Sequence, residues 1–142
     1  MKKSKLILLA SFVFVFNLIW EFLHSELYLD LTGIPPITHL ILASFTDLFL
    51  VFFIFLINSF LRKKITWIES PKKFDYLVLI IFGILISVII EIYSLSMGRW
   101  AYKETMPMIF GIGLSPLVQL FATFIIGLFA FNFLNRIKFK KK

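Results

Sequence analysis

"LILLASFVFVFNLIWEFLHSELY", Leu6 to Tyr28, is apolar for long enough to cross a bilayer, yet it carries Glu21 and His24 near its end. About 20 apolar residues reach across the ~30 Å of hydrocarbon. The run starts after the basic residues Lys2, Lys3 and Lys5, as a secretory signal would, but no small-x-small cleavage site follows. The stretch therefore reads as a retained transmembrane helix.

Three more runs of this kind follow. The apolar stretches predict helices over 6–28, 37–61, 74–97 and 108–134, with an outer loop at 98–115 that folds over the bundle, residues 108–115 reading equally as lid or as the first turns of the last helix. Composition agrees, because 60% of the 142 residues are hydrophobic, 19 are Phe and mean hydropathy is +0.95. The fold class expected is an all-α integral membrane protein, a four-transmembrane-helix bundle forming a single domain over 1–142. The absence of cysteine removes disulfides, thiolate nucleophiles and Cys-ligated zinc.

Orientation follows from the basic residues. Lys2, Lys3, Lys5, Arg62, Lys63, Lys64, Lys72, Lys73, Arg136, Lys138 and Lys140 to Lys142 fall at the two termini and the middle loop, leaving only Arg99 and Lys103 for the other side. The positive-inside rule then puts both termini in the cytoplasm and the protein in the cytoplasmic membrane. The net charge of +7 is an orientation signal and not a nucleic-acid footprint. Membrane lipids are the partners it implies, and a homo-oligomer is left open.

Loop chemistry sharpens the boundaries. "TGIPPIT" supplies Gly33, Pro35 and Pro36 for the first outer turn, and "ESPKK" offers Ser70 as N-cap with Pro71 at the first position of the third helix. Trp67 and Ile68 in the middle loop suit a segment at headgroup level.

Six of the eight acidic residues, Glu21, Glu26, Asp30, Asp47, Glu91 and Glu104, fall toward the outer side. Asn17, Glu21, His24 and Tyr28 recur at helical spacing, and so do His39, Ala43, Thr46 and Asp47, then Ser87, Glu91 and Ser94, then Pro116, Gln119, Thr123 and Gly127. Each helix thus carries one polar stripe. Charges facing lipid at that depth cost several kcal/mol, so the stripes are expected to face one another around an internal cavity. Glu21 and Glu91 are the expected acid/base pair, with His24 beside them and Asp47 holding a histidine. His39, Arg99, Trp100, Tyr102, Gln119 and Asn17 are expected to bind substrate. A metal variant using His24, His39 and the carboxylates lacks a recognisable ligand spacing, so no metal is assigned, and the cofactor is unknown.

Two weaker patterns add to this. "EFLHS…PITHLILASF" aligns with "EIYSLS…PLVQLFATF", pairing Glu21 with Glu91, Pro36 with Pro116 and His39 with Gln119, as two parallel hairpin repeats about an axis along the membrane normal would. In the long outer loop, Trp100, Tyr102 and "GIGLSPLVQL" resemble the W-x-Y, glycine-rich, Pro-Leu pattern of the small membrane lycopene cyclase and carotenoid-biosynthesis proteins. That family follows Pro-Leu with paired acidic residues assigned to polyene protonation, where this chain has Val118 and Gln119. What the resemblance implies is a lipophilic substrate, a lipid or isoprenoid. The competing readings are a proton- or cation-coupled transporter and an accessory subunit whose polar groups only specify packing.

Overall fold

The computed structural model describes residues 3–139. Its elements are the helices α1 (Lys3–His24), α2 (Pro36–Arg62), α3 (Lys73–Ser96) and α4 (Leu114–Phe139), joined by 3₁₀ turns at Ser25–Leu27 and Ile65–Glu69. Four short strands complete them: β1 (Tyr28–Asp30), β2 (Trp100–Tyr102), β3 (Met108–Ile109) and β4 (Ile112–Gly113). All four helices are long and apolar enough to span a membrane. The chain is an all-α, multi-pass membrane protein built as a four-helix bundle.

The outside of the bundle is what lipid requires. Leu23, Phe49, Phe60, Ile89 and Phe133 all point outward, and Phe60 is 83% exposed. In water such a surface would aggregate, whereas in hydrocarbon it costs nothing, so helix association must come from close packing and internal polar contacts. Two glycines give that packing. A Cβ on Gly83 of α3 would lie 2.8 Å from the Phe121 Cβ of α4, and one on Gly127 of α4 would lie 2.8 Å from the Val13 Cγ2 of α1. α4 therefore lies tightly against both α1 and α3, and α1 packs on α2, while α2 and α3 touch less. Gly83→Ala is expected to lower stability by about 1–2 kcal/mol, the overpacking cost less the helix-propensity gain of alanine. Unfolding in detergent or by steric trapping measures it, and a stabilised variant would refute the close crossing.

One end of the bundle packs around an apolar cluster. Leu9, Val51, Ile54, Phe55, Leu79, Phe124, Leu128 and Phe131 are buried there, and the Ile65–Glu69 turn inserts Trp67 and Ile68 among them. Trp67 is 1% exposed, donates to the Ser59 Oγ at 3.0 Å and meets Phe124 edge-on, while Asn132 holds the Ile68 carbonyl at 2.9 Å. The headgroup placement expected for Trp67 and Ile68 is thus corrected. A turn too short to pass outside the helices packs its apolar side chains between them. Phe124 and Phe131 likewise face inward, while Phe129 and Phe133 of the same run face lipid.

Several boundaries also differ from expectation. α1 ends at His24 and not at Tyr28, because Tyr28 pairs with Tyr102 in an antiparallel ribbon of β1 and β2. α3 begins at Lys73, where Asp75 caps the chain by accepting the Lys72 amide at 2.6 Å, so Ser70 and Pro71 lie outside the helix. α4 begins at Leu114 and not at 108. Residues 108–113 form a hairpin whose turn places Phe110 (φ 51°) and Gly111 (φ 81°) in the left-handed region that a two-residue I′ turn needs.

Candidate functional site

At the other end the four helices part around a cavity of about 470 Å³. α1 supplies Glu21 and His24, α2 supplies His39, Ala43 and Asp47, α3 supplies Ser87, Glu91 and Ser94, and α4 supplies Pro116 and Gln119. Arg99, Trp100 and Lys103 border it from β2 and the residues flanking it. The stripes expected from helical spacing therefore do converge, and eight of the ten candidate residues line one space.

The other two stand behind the wall. Asn17 lies deeper in the bundle, fully buried, where it donates to the Val13 carbonyl at 3.0 Å and accepts from Thr123 at 3.1 Å. Tyr102 reaches Glu91 from outside the cavity. Neither residue lines the cavity.

Gln119 organises the floor. Its Nε2 donates to the Glu21 Oε1 and to the Asp47 Oδ2, both at 2.6 Å, so one amide bridges carboxylates from α1 and α2. Glu21 is also 3.5 Å from the His24 Nε2. Among the described residues the histidines pair with Glu21 and Asp30 and none with Asp47, and the carboxylate that shares the Gln119 amide with Glu21 is that of Asp47. Glu91 sits apart on α3, where its Oε2 accepts from the Tyr102 hydroxyl at 2.5 Å and from the Trp100 indole at 3.3 Å. Burial, then the hydrogen bond to Glu91, hold the Tyr102 phenol above its usual pKa, so it stays protonated and keeps donating. Tyr28, brought to the wall by β1, is raised for the same first reason and next by the Glu91 charge.

The mouth is stapled. Asp30, at the end of β1, accepts from the Thr32 amide and hydroxyl at 2.8 and 2.7 Å and pairs with the His39 Nδ1 in the first turns of α2. Asp30 is therefore no free loop charge. Burial raises its pKa, but the Thr32 bonds and His39 together outweigh that and leave the carboxyl below its ordinary value. A lowered carboxyl pKa adds stability above the unfolded-state value, so the contribution of the staple is present above about pH 4 and fades as pH falls through the folded-state value. Melting scans of wild type and Asp30→Asn are expected to converge in acid and to separate above that window. Parallel curves throughout would remove the staple.

Three buried polar atoms around the cavity have no hydrogen-bond partner among the described residues: the His24 Nδ1, the Ser87 Oγ and the Ser94 Oγ. The two serines flank Glu91 on the same face of α3. Among the described residues no three His, Asp or Glu side chains are grouped to hold a metal ion. Arg99 is a rim residue stacked over Trp100 at 5.8 Å, and Lys103 lies 3.9 Å from Glu26. The outer loop covers less than expected. Residues 99–103 border the cavity, while the 108–113 hairpin does not.

No protein family, curated protein or solved structure matches this chain. The cavity is therefore the ground for any function. Its sequence signal was good for the helical positions and poor for Tyr28, Ser87 and Ser94, which the stripes contained but residue chemistry alone did not single out.

Proposed function

We propose that the chain binds a lipid or isoprenoid in this cavity and carries out acid/base chemistry on its polar end. The observation that carries the reading is the Gln119 bridge between Glu21 and Asp47 at the floor of a closed-bottomed cavity. Two carboxylates so close, in a medium that screens charge poorly, repel one another unless a proton or a cation lies between them. Such a pair can give a proton to a bound molecule and take it back.

The lipophilic substrate is supported by the thin α2–α3 contact, where Leu42, Thr46 and Ile90 border the cavity and Leu42 is half exposed to the lipid side. A chain-like tail can leave the cavity there. The resemblance to carotenoid-biosynthesis proteins fits the same picture. Where that pattern has paired acids after Pro-Leu, Gln119 here draws acids from α1 and α2 to one point. Transport is the weaker reading, since Trp67, Phe124 and Phe131 pack the opposite end of the bundle, where each is 1% exposed or less. In this reading the lysine-rich termini and middle loop are cytoplasmic and the cavity opens toward the outer leaflet of the cytoplasmic membrane.

Native mass spectrometry on gently extracted protein tests the proposal. Wild type is expected to carry a stoichiometric bound lipophile that Glu21→Gln loses by tenfold or more, about the value of one charge-assisted hydrogen bond. Equal retention by both would reject the acidic floor as the binding point.

A further inference from the structure

We propose, resting on the cavity-binding reading above, that the bound molecule is an amphiphile with a protonated primary amine, held at Glu21, Asp47 and Glu91. Charge is the first argument. Among the described residues no Lys or Arg comes within 4.0 Å of any of these three carboxylates, and His24 is the only basic group beside them. An anionic head would meet like charge on three walls. An ammonium supplies the missing countercharge.

The orphaned hydroxyls make the class narrower. Ser87 and Ser94 lie at i−4 and i+3 from Glu91, are 4% and 1% exposed, line the cavity and have no partner. Leaving buried hydroxyls unpaired costs about 1–3 kcal/mol each. A primary ammonium has three N–H donors that serve serine oxygens and carboxylates together, whereas a quaternary ammonium has none and would leave the serines as they are. Trp100 and Tyr28, edge-on at 6.2 Å on the same wall, add ring faces to which a cation is attracted. Arg99 and Lys103 stand at the rim, where a phosphate could sit above the ammonium. The shared chemistry is the ammonium on an aliphatic body, and its source is either a free alkyl amine or an aminophospholipid.

The test is calorimetric titration of the full chain in phosphatidylcholine nanodiscs with decylamine, decanol and decyltrimethylammonium, subtracting empty discs. Decylamine is expected to bind saturably, one per chain, and about tenfold or more tighter than the other two. Glu91→Gln should weaken it by about tenfold, and Ser94→Ala, which removes no charge and threatens the fold less, by about threefold to tenfold. Adding phosphatidylethanolamine to the discs separates the sources: competition with decylamine identifies the aminophospholipid, and its absence the free amine. Equal binding of decanol overturns the ammonium, and equal binding of decyltrimethylammonium overturns the primary amine, while either leaves the cavity reading in place. No saturable binding of any of the three to folded protein, together with a bare chain in native mass spectrometry, overturns both.

Discussion

Asp75→Ala is expected to cost the bundle about 3–5 kcal/mol, the usual penalty for removing one partner of a buried ion pair. Asp75 is fully buried near the start of α3. Its carboxylate lies 3.2 Å from the Arg62 Nε, accepts from the Asn58 Nδ2 at 3.0 Å and takes the Lys72 amide at 2.6 Å. One side chain thus ties the end of α2 to the start of α3 and caps the latter. Removing it strands Asn58, leaves Arg62 half in the bundle without an anion, and uncaps the helix, the last effect alone being about 1 kcal/mol. Arg62→Gln should cost less, since Arg62 is 25% exposed and water can take its place. Steric-trap unfolding in bicelles would show the difference. A loss below about 1 kcal/mol for Asp75→Ala would mean that the cluster is not holding the helices together.

This cluster also marks a limit of reading the sequence. Asp75 looks like an ordinary charge beside lysines, because its depth depends on the first turn of α3 packing against the end of α2. The four spans were legible since length and apolarity alone decide them, and Glu21, Asp47, Glu91 and Gln119 were legible since charge in lipid must turn inward. Trp67 was misplaced because belt chemistry and core chemistry use the same residue. Met108 to Gly113 reads equally as lid or as helix because its apolar content fits either structure, and only Phe110 and Gly111 in consecutive left-handed conformations turn it back on itself.

The hairpin alignment explains where the cavity opens. The strands that follow α1 and α3 pair antiparallel with Leu29 opposite Ala101, as a twofold along the bundle axis would place them, and the β3–β4 hairpin occupies the extra length of the second copy. That twofold would make the α1–α4 and α2–α3 contacts equivalent, yet they differ. In the aligned register Val13 corresponds to Gly83 and Gly127 to Asp47. Where α4 has a glycine to close on α1, α2 has a carboxylate that must be kept from lipid. The residue at the position of that glycine is Asp47, one of the acids on the floor.

Gln119→Leu should then be the most damaging change in the site. Leucine matches the volume and helix preference of glutamine, so packing is kept and only the bridging amide is lost. Glu21 and Asp47 would face each other with no donor between them, a loss of about 2–4 kcal/mol in stability from stranded charged acceptors. Ligand retention should fall by about 100-fold as the two carboxylates separate. A second change distinguishes this from simple misfolding. Glu21→Gln in the Gln119→Leu background restores an amide donor to Asp47 and removes one of the repelling charges, so most of the stability should return. Binding should not, because one of the two acids is gone. A double variant as unstable as Gln119→Leu alone would show that the lost stability does not come from the two stranded carboxylates, and the acid pair would lose its place at the centre of the site.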